Sequence, residues 1–321
     1  MLSRVADSLY WMSRYLERAE HTARLIDVDL QLRLDQSSES ATERWQRMLE
    51  ALQIPISLVG GVDAITLPHT LTFSRSSPSS IVSCVATARE NLRHVREQCS
   101  SEMWEQLNRL YLKVIDSNTH AEDSWNLLSL AFFRSVQEGV HLFQGITDST
   151  MSHGEGWHYI QLGRFVERTN MLASLIGAHF SYLPHPPDQA VESAEYLEWV
   201  ALLKCCTAFE AYCKVYTAEV RPLRVAEFLL LNPDFPHSIR FSVEMVQAAL
   251  QVTSELTQRK AAQPARIAGR LKATVSFSQI DEIMANGAYA YLENIRSQCG
   301  QVHAAIQQIY FDYPIESAIA S

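Results

Sequence analysis

The hydrophobic positions of the N-terminal stretch keep the three-and-four spacing of an amphipathic helix without a break. They run from Leu2 to Leu30 and form one apolar stripe along about 29 residues,. At 1.5 Å per residue, such a helix is roughly 43 Å long. A helix of this length buries its stripe only against partners of similar length, so the pattern predicts a bundle.

The same spacing recurs through most of the chain. It predicts further helices at about 42–52, 78–99, 101 onward, 123–144, 156–180 and 190–218, one opening near Pro222, and two or three more up to about 311,. No alternating pattern of useful strand length occurs, and only 11 Gly and 11 Pro are present. We therefore predict an all-α fold, a multi-helix bundle with long antiparallel helices.

Prolines suggest one internal boundary. Pro184, Pro186 and Pro187 make 183–188 the best candidate for a hinge, because proline ends helices,. We expect a single helical domain over 1–311, with pseudo-halves at about 1–150 and 151–311, and a flexible tail over 312–321.

An Arg-x-x-Glu-Arg unit occurs twice in similar helical settings. The first copy begins at Arg14 and the second at Arg164, 164 − 14 = 150 residues later. Apolar residues flank the second copy on both sides of its helix, so its charged groups must be paired or must face a polar cavity. Two such helices facing each other would gather six side chains: Arg14, Glu17, Arg18, Arg164, Glu167 and Arg168. The sequence leaves open whether this is a buried structural clasp or a functional polar pocket.

A third charge-rich helix contains Arg89, Glu90, Arg93, Arg96 and Glu97. Its denser charge is typical of a solvated face.

Net charge and arginine content disfavour one class of function and favour another. The net charge of −9 disfavours a general role in nucleic-acid binding, which needs a basic surface,. Among 27 basic residues, 5 are Lys and 22 are Arg, the residue suited to planar recognition of carboxylate and phosphate,.

Cysteine usage and hydropathy predict the compartment. The six cysteines include no Cys-x-x-Cys pair, which favours reduced thiols,. Arg4 and Asp7 interrupt the region where a signal peptide would be apolar, and no apolar run of about 18 residues occurs,. We expect a cytoplasmic protein that does not enter the membrane.

Two Glu-x-x-His pairs raise the alternative of a metal-dependent, di-iron-like oxidoreductase. They are Glu138/His141 and Glu155/His158, only 17 residues apart,. Gly154 beside the second pair argues against a helix interior there. Because of this glycine and the short separation, we predict no metal site and keep the oxidoreductase only as a second alternative. His-Glu-x-x-His, Walker A and Gly-x-Ser-x-Gly motifs are also absent from the sequence,.

Four blocks carry a resemblance to a known family. They are "MLSRVADSLYWMSRYLERAEHTARLIDV", "ARENLRHVREQCSSEMWEQLN", "LGRFVERTNMLASLI" and "RVAEFLLLNPDFPHSIRF". In this order they resemble the bacterial alpha-E domain proteins, over about 1–311. The resemblance implies a helical protein found alongside a circularly permuted ATP-grasp amide ligase, and often a transglutaminase-like protein.

The resemblance also implies which polar residues matter. The matching positions here are Arg14, Glu17, Arg18, Glu20, Arg89, Glu90, Asn91, Glu102, Asn108, Arg164, Glu167, Arg168 and Glu227. The late block has His237 where a basic arginine is expected.

The leading hypothesis is an accessory component of an amide-forming system. In it, six side chains bind a carboxylate or acyl-phosphate ligand or dock the ligase: Arg14, Arg18, Arg89, Glu90, Arg164 and Arg168. Glu17 and Glu167 orient the arginines or act as general bases. ATP and magnesium are expected on the partner ligase, and no cofactor in this chain. The alternative is a non-catalytic interaction protein whose Arg/Glu pairs are structural. Whether the chain is itself an enzyme, and whether it forms homo-oligomers, stays open.

Overall fold

A computed structural model gives the fold. It describes residues 1–34, 41–59, 66–124, 130–182, 193–217, 219–257 and 262–312. Over these ranges the chain forms fourteen α-helices and no β-strand, which confirms the all-α prediction. The predicted hinge at 183–188 and nearly all of the predicted tail lie outside the described residues.

The helices, in chain order, are α1 (Ser3–Leu34), α2 (Ala41–Ala51), α3 (Thr66–Phe73), α4 (Ile81–His94), α5 (Ser101–Ser124), α6 (Leu130–Thr150), α7 (Glu155–Tyr182), α8 (Ser193–Cys205), α9 (Phe209–Tyr216), α10 (Pro222–Leu231), α11 (Ile239–Thr257), α12 (Ala262–Phe277), α13 (Ile280–Asn286) and α14 (Ala288–Ile306). None of the helices in the described ranges is both long and apolar enough to cross a membrane.

Helices α1 and α7, which carry the two Arg-x-x-Glu-Arg copies, lie at the centre of the bundle. Their main neighbours are α4, α6, α11 and α14. Leu9, Leu16 and Ile26 of the predicted α1 stripe are buried, as expected. Tyr10 and Glu17 on another face are buried too, so α1 is enclosed on nearly every side, as a helix at the centre of a bundle must be,.

The direction of packing differs between neighbours. Contacts of α1 with α6 run antiparallel: Glu17 lies beside Gln144, and Asp27 beside Gln137. By contrast, α1 and α7 run parallel, because Met1 contacts Glu155 and Arg14 contacts Glu167. The prediction of antiparallel neighbours therefore does not extend to the two repeat helices, whose equal direction keeps equivalent residues at the same height.

A glycine lets the two central helices approach each other closely. A Cβ atom placed on Gly163 would lie only 2.2 Å from the carbonyl oxygen of Tyr10. The residue at the equivalent position of the first copy is Ser13, which packs against the same point. The backbones of α1 and α7 thus meet just before the charged residues, and this contact sets the spacing across which those side chains reach.

The single helix predicted at 190–218 is two helices, α8 and α9. Thr207 has a φ of 52° between them. The Thr207 N–H donates to Lys204 O at 3.0 Å and the Ala208 N–H to Leu203 O at 2.7 Å, the pattern of a left-handed C-terminal cap,. Thr207 carries no proline or glycine signal, which is why the sequence pattern missed the break.

All six cysteines are free thiols, and four of them are buried: Cys84, Cys205, Cys206 and Cys299. Burial raises the pKa of Cys84 to about 12. This thiol is a core group rather than a nucleophile.

Candidate functional site

The six charged residues of the repeat meet between α1 and α7, and we call this cluster the clasp. Glu167 accepts hydrogen bonds from two arginines of α1: Arg14 Nε lies 2.6 Å from Oε2, and Arg18 Nε lies 2.7 Å from Oε1. The sequence predicted that these groups would converge, and the structure brings them together.

Glu17 makes the reciprocal contacts from α1 to α7. Arg168 donates from Nε to Oε1 at 2.5 Å and from Nη2 to Oε2 at 3.0 Å. Arg164 Nε lies 3.9 Å from Oε2, beyond hydrogen-bond distance,. Gln144 of α6 donates to the same oxygen at 3.3 Å.

The clasp is therefore nearly symmetric, with each glutamate facing two arginines of the opposite helix. Four arginines against two glutamates leave a surplus of 4 − 2 = 2 positive charges among these side chains. Each glutamate has one close arginine that is itself buried, Arg14 or Arg168. The other two, Arg18 and Arg164, are each 24% exposed at the edge of the clasp.

Burial and charge act in opposite directions on Glu167. Its side chain is only 2% exposed, and burial by itself would raise its pKa. Arg14 and Arg18 outweigh that effect, so the pKa of Glu167 lies below its usual value of 4.5,. Glu167 is ionised at neutral pH and a weak proton acceptor.

Arg164 is the least satisfied member of the clasp. Its Nε is buried and has no hydrogen-bond partner in the part of the chain that the structure describes. Burial and the neighbouring Arg168 lower its pKa to about 10, so it is still charged at pH 7. The equivalent Arg14 gains extra partners because Tyr10 precedes it by one turn, where Arg164 has Ile160.

Tyr10 and His303 extend the clasp to α14. The Tyr10 hydroxyl lies 2.8 Å and Arg14 Nη1 3.1 Å from His303 Nδ1, and the two rings stack. Since an arginine can only donate, Nδ1 accepts and the ring proton belongs on Nε2. Burial and Arg14 lower the pKa of His303 to about 4, so the ring is neutral at pH 7. Sequence reasoning missed His303 because no pattern connects α14 to the repeat.

A polar pocket of about 210 Å³ opens beside Arg18 and Glu167, and we call it the clasp pocket. Thr22 lies at its wall, fully buried, and its hydroxyl has no hydrogen-bond partner among the described residues. Buried polar groups are normally satisfied, so this hydroxyl is available to a bound molecule or a water. The lining residues are Arg18, Thr22, Ala51, Leu52, Gln53, Ser79, Glu167, Asn170 and Met171.

The end of α2 supplies one wall of the clasp pocket through Gln53. Its φ of 56° is left-handed, and the Ile54 N–H donates to Leu49 O at 2.9 Å, which closes α2 as a left-handed cap,. The Gln53 side chain donates to Ser174 Oγ of α7 at 2.6 Å. The capped turn thus fixes an amide against the pocket.

A second charged group adjoins the Arg164 side of the clasp. Glu20 is buried, pairs with Arg24 and lies 3.5 Å from His141 Nε2. Although burial opposes it, His141 and Arg24 lower the pKa of Glu20. From the late sequence block, Pro236 O accepts a hydrogen bond from Arg168 Nη1 at 3.1 Å.

From the alpha-E resemblance we expect a cation at position 237, but the surroundings of His237 disfavour a positive charge on its ring. Burial and the neighbouring Arg168 lower the pKa of His237 well below its usual value. His237 is therefore neutral at pH 7, and the positive charge there comes from the arginines.

The other residues implied by the resemblance contact different parts of the molecule. Arg89 donates to Asn108 Oδ1 at 2.8 Å and packs over Trp104 and Tyr111. Glu90 pairs with Arg93 on the surface, as expected for a solvated face. The remaining positions are Asn91, which donates to Thr87 O, Glu102 in the first turn of α5, and Glu227, which accepts from Tyr216.

The two Glu-x-x-His pairs do not converge on a metal centre. Glu138 and His141 are exposed on α6, and Glu155 contacts Met1 at the start of α7. No group of three or more His, Cys, Asp or Glu residues within the described ranges is arranged to hold a metal ion.

Comparison with known proteins finds relatives without an assigned activity. Uncharacterized proteins of Mycobacterium bovis and of two Mycobacterium tuberculosis strains are 24% identical over 336 residues. The match covers 95% of this chain and 36% of each relative, so the chain spans about a third of their length. No solved structure matches.

A family model matches residues 1–311 and is described as a predicted alpha-helical domain with a conserved ER motif. Three Glu-Arg dipeptides occur in this chain, at 17–18, 43–44 and 167–168, and the first and last meet in the clasp. The chain belongs to the alpha-E family.

Proposed function

We propose that this protein is the helical component of an ATP-grasp-type amide-forming system and that its clasp pocket receives a carboxylate or acyl-phosphate group. The observation that carries the ligand class is the surplus of two arginines in the clasp. A partly buried surplus of positive charge is stabilised by an anion. The ligase part of the proposal follows from the alpha-E resemblance.

The clasp arginines have two roles in this proposal. Arg14 and Arg168 are the close, buried partners of the glutamates and hold α1 against α7. Arg18 reaches the clasp pocket, where Asn170 and the Thr22 hydroxyl offer further hydrogen bonds to an oxyanion. Arg164 supports this charge from the opposite edge.

Glu17 and Glu167 orient the arginines rather than abstract protons. Glu167 already accepts short hydrogen bonds from Arg14 and Arg18, which hold its pKa below the usual value and weaken it as a base,. Both oxygens of Glu17 already accept hydrogen bonds from Arg168. On this view ATP and magnesium bind to the partner ligase, and a transglutaminase-like protein is a further expected partner.

The length of the relatives supports a role as a component. The matched region is about a third of each mycobacterial relative, so a similar domain there shares one chain with other segments. Linkage to further segments in one chain favours joint action, because it raises the effective concentration of each segment for the other.

The first experiment is capture of the chain at native level from its own cells, with and without ATP, read by mass spectrometry. Stoichiometric recovery of an ATP-grasp ligase supports the proposal. Recovery of the chain alone in both conditions contradicts the ligase part.

A joint assay with the captured ligase then tests the pocket. Arg18→Gln is expected to lower amide formation about tenfold or more, since a hydrogen bond to a charged group contributes about 1.5–3 kcal/mol. The fold should survive, because Glu167 keeps Arg14. Arg93→Gln on the exposed face of α4 is the matched control and should leave the rate unchanged.

A non-catalytic interaction protein is the second candidate, favoured by the close pairing of five of the six clasp side chains. It predicts that Arg18→Gln leaves amide formation unchanged, even though Glu17→Gln destabilises the fold. That pair of results would assign the clasp to structure alone.

A further inference from the structure

The clasp pocket is bordered by a threonine whose hydroxyl its own helix does not use. Among the described residues, five buried threonines lie within helices: Thr22, Thr72, Thr147, Thr169 and Thr253. Four of them donate from the hydroxyl to the carbonyl oxygen four residues earlier, at 2.7 or 2.8 Å. Thr22 is the exception, because its Oγ1 is buried and has no hydrogen-bond partner in the described part of the chain. This exception indicates that the partner of Thr22 is a bound group.

The walls of the clasp pocket come from four separate segments of the chain. Arg18 and Thr22 belong to α1 and Asn170 to α7, while Gln53 follows α2 and Ser79 precedes α4. All five side chains can donate a hydrogen bond. Donors that surround a space from several directions suit a phosphoryl group, because its three oxygens point to different sides. The two oxygens of a carboxylate lie in one plane and meet fewer of these donors.

The start of α4 makes one side of the pocket more favourable for an anion. Ser79 directly precedes the N-cap residue Ser80, whose hydroxyl accepts a hydrogen bond from the Ser83 N–H at 3.2 Å. The N-terminus of a helix carries a partial positive charge, equivalent to about half an elementary charge, and stabilises anions nearby. This partial charge adds to the full charge of Arg18 across the same pocket.

Charge distinguishes a phosphoryl group from a carboxylate. Arg18 and Glu167 are the charged residues that line the pocket, and Glu167 is also paired with Arg14. The clasp as a whole has a surplus of two positive charges. A phosphate monoester carries a charge of about −1.5 to −2 at pH 7 and therefore neutralises this surplus, whereas a carboxylate neutralises half of it.

We propose that the clasp pocket binds the phosphoryl group of a phosphate ester or of an acyl phosphate. The inference rests on the proposed function, because it narrows the ligand class of the same site. Arg18, Asn170 and the Thr22 hydroxyl donate to the phosphoryl oxygens. One water needs roughly 10–15 Å³ of such volume, so about 210 Å³ leaves room for the phosphoryl group and for the part of the molecule that carries it,.

Calorimetric titration of the purified chain with four small anions tests the ligand class. At about pH 8, where phosphate monoesters are dianions, methyl phosphate and acetyl phosphate are expected to bind with one-to-one stoichiometry. Methyl sulfate has the same shape with a single charge, and acetate is planar with a single charge, so both should bind at least tenfold more weakly. Tighter binding of acetyl phosphate than of methyl phosphate would identify an acyl phosphate as the source, and the reverse order would identify an ester.

The outcomes of this titration separate the inference from the proposed function. Binding of acetate or of methyl sulfate as tight as that of methyl phosphate overturns the phosphoryl assignment. If acetate is the anion that binds, a carboxylate ligand remains and the proposed function stands. The absence of binding by all four anions overturns both the inference and the anion ligand of the proposed function.

Two matched valine substitutions locate the binding. Thr22→Val nearly keeps the side-chain shape and removes the hydroxyl, so it should weaken methyl phosphate binding about tenfold, as expected for a lost hydrogen bond to a charged group. Thr253→Val on α11 is the control and should bind normally, since Thr253 is equally buried but donates to Ala249 O. Without ligand, Tm should rise for Thr22→Val, which removes an unsatisfied hydroxyl, and fall for Thr253→Val, which removes a hydrogen bond.

Asn170→Asp keeps the test decisive if Thr22→Val does not fold. It places a negative charge at the wall of the pocket and should weaken methyl phosphate binding at least tenfold, because like charges repel strongly at short distance. Binding of methyl phosphate at wild-type strength by either folded variant overturns the assignment to the clasp pocket.

Discussion

At the scale of single residues, the four arginines of the clasp differ in how much of the fold depends on each. Arg14 is bound by Glu167 and His303, and Arg168 makes two hydrogen bonds with Glu17. Removing one member of a buried ion pair leaves an uncompensated charge, which costs far more than the pair itself contributes.

Glu17→Gln is therefore expected to lower the free energy of unfolding by about 3–5 kcal/mol, because it leaves Arg164 and Arg168 without their carboxylate. Urea-induced unfolding measures the change. Glu90→Gln removes an exposed carboxylate, and its effect should stay within about 0.5 kcal/mol. Equal effects of the two substitutions would contradict the clasp as a stabilising element.

The two arginines that share Glu167 should also respond differently. Arg14→Gln is expected to lower the free energy of unfolding by at least 2 kcal/mol more than Arg18→Gln does, because breaking a buried ion pair costs roughly 3–5 kcal/mol. Arg18→Gln removes a partly exposed group and leaves Glu167 paired, so we expect a loss of about 1 kcal/mol or less. Thermal unfolding of the two variants gives the comparison, and a larger loss for Arg18→Gln would reverse the assignment of roles.

At the scale of helices, the close contact of α1 and α7 is what brings the two charged units within reach. The contact depends on the absence of a side chain at Gly163, whose hypothetical Cβ would lie 2.2 Å from a backbone atom of α1. Backbone cannot move aside as a flexible side chain can, so any larger residue must separate the helices.

Gly163→Ala is expected to destabilise the protein by about 1–3 kcal/mol, the range for overpacking in a core. Gly145→Ala on α6 is the matched control. Nothing lies within 4 Å of its added Cβ, so the better helix propensity of alanine should stabilise the protein by about 0.5–1 kcal/mol,. Opposite shifts of Tm are therefore expected, and a rise of Tm for Gly163→Ala would contradict the close helix contact.

At the scale of the whole molecule, the titratable groups buried around the two central helices make stability depend on pH. Burial lowers the pKa of His21 and of His303 from 6.5 to about 4, and it lowers the pKa of His179 well below 6.5. Glu167 keeps a lowered pKa because of its arginines. In all these cases the unfolded chain binds protons at a higher pH than the folded one.

The free energy of unfolding should therefore fall as the pH drops. The histidine contribution is complete above pH 6.5, the unfolded value, and is lost as the pH falls towards 4. The glutamate contribution is lost below about pH 4.5. A single histidine such as His21 contributes at most about 1.4 kcal/mol per pH unit in its window.

Urea unfolding between pH 4.5 and 7.5 measures this dependence. The slope of stability against pH should be smaller in His21→Asn than in the unsubstituted protein, whatever the change in absolute stability. A constant free energy of unfolding across the range would contradict the neutral, buried state of these histidines.

Much of the secondary structure follows from sequence periodicity. Except for Leu2, which directly precedes α1, the predicted apolar stripe up to Leu30 lies within α1, and the predicted helix at 156–180 lies within α7. Local rules failed at the break near Thr207, because a threonine with positive φ is held there by cap hydrogen bonds rather than by its own propensity. Such bonds depend on the fold around them.

Periodicity and spacing are local properties, so they were enough to predict that the chain is helical and that two charged units stand 150 residues apart in matching apolar settings. They could not decide which arginine pairs with which glutamate, that the repeat helices run parallel, or that His303 joins the clasp. These points become visible in the folded molecule, since they depend on how closely the backbones approach at Gly163 and on which distant helices pack beside it. The clasp pocket is likewise a gap left between packed helices, and no local pattern records a gap.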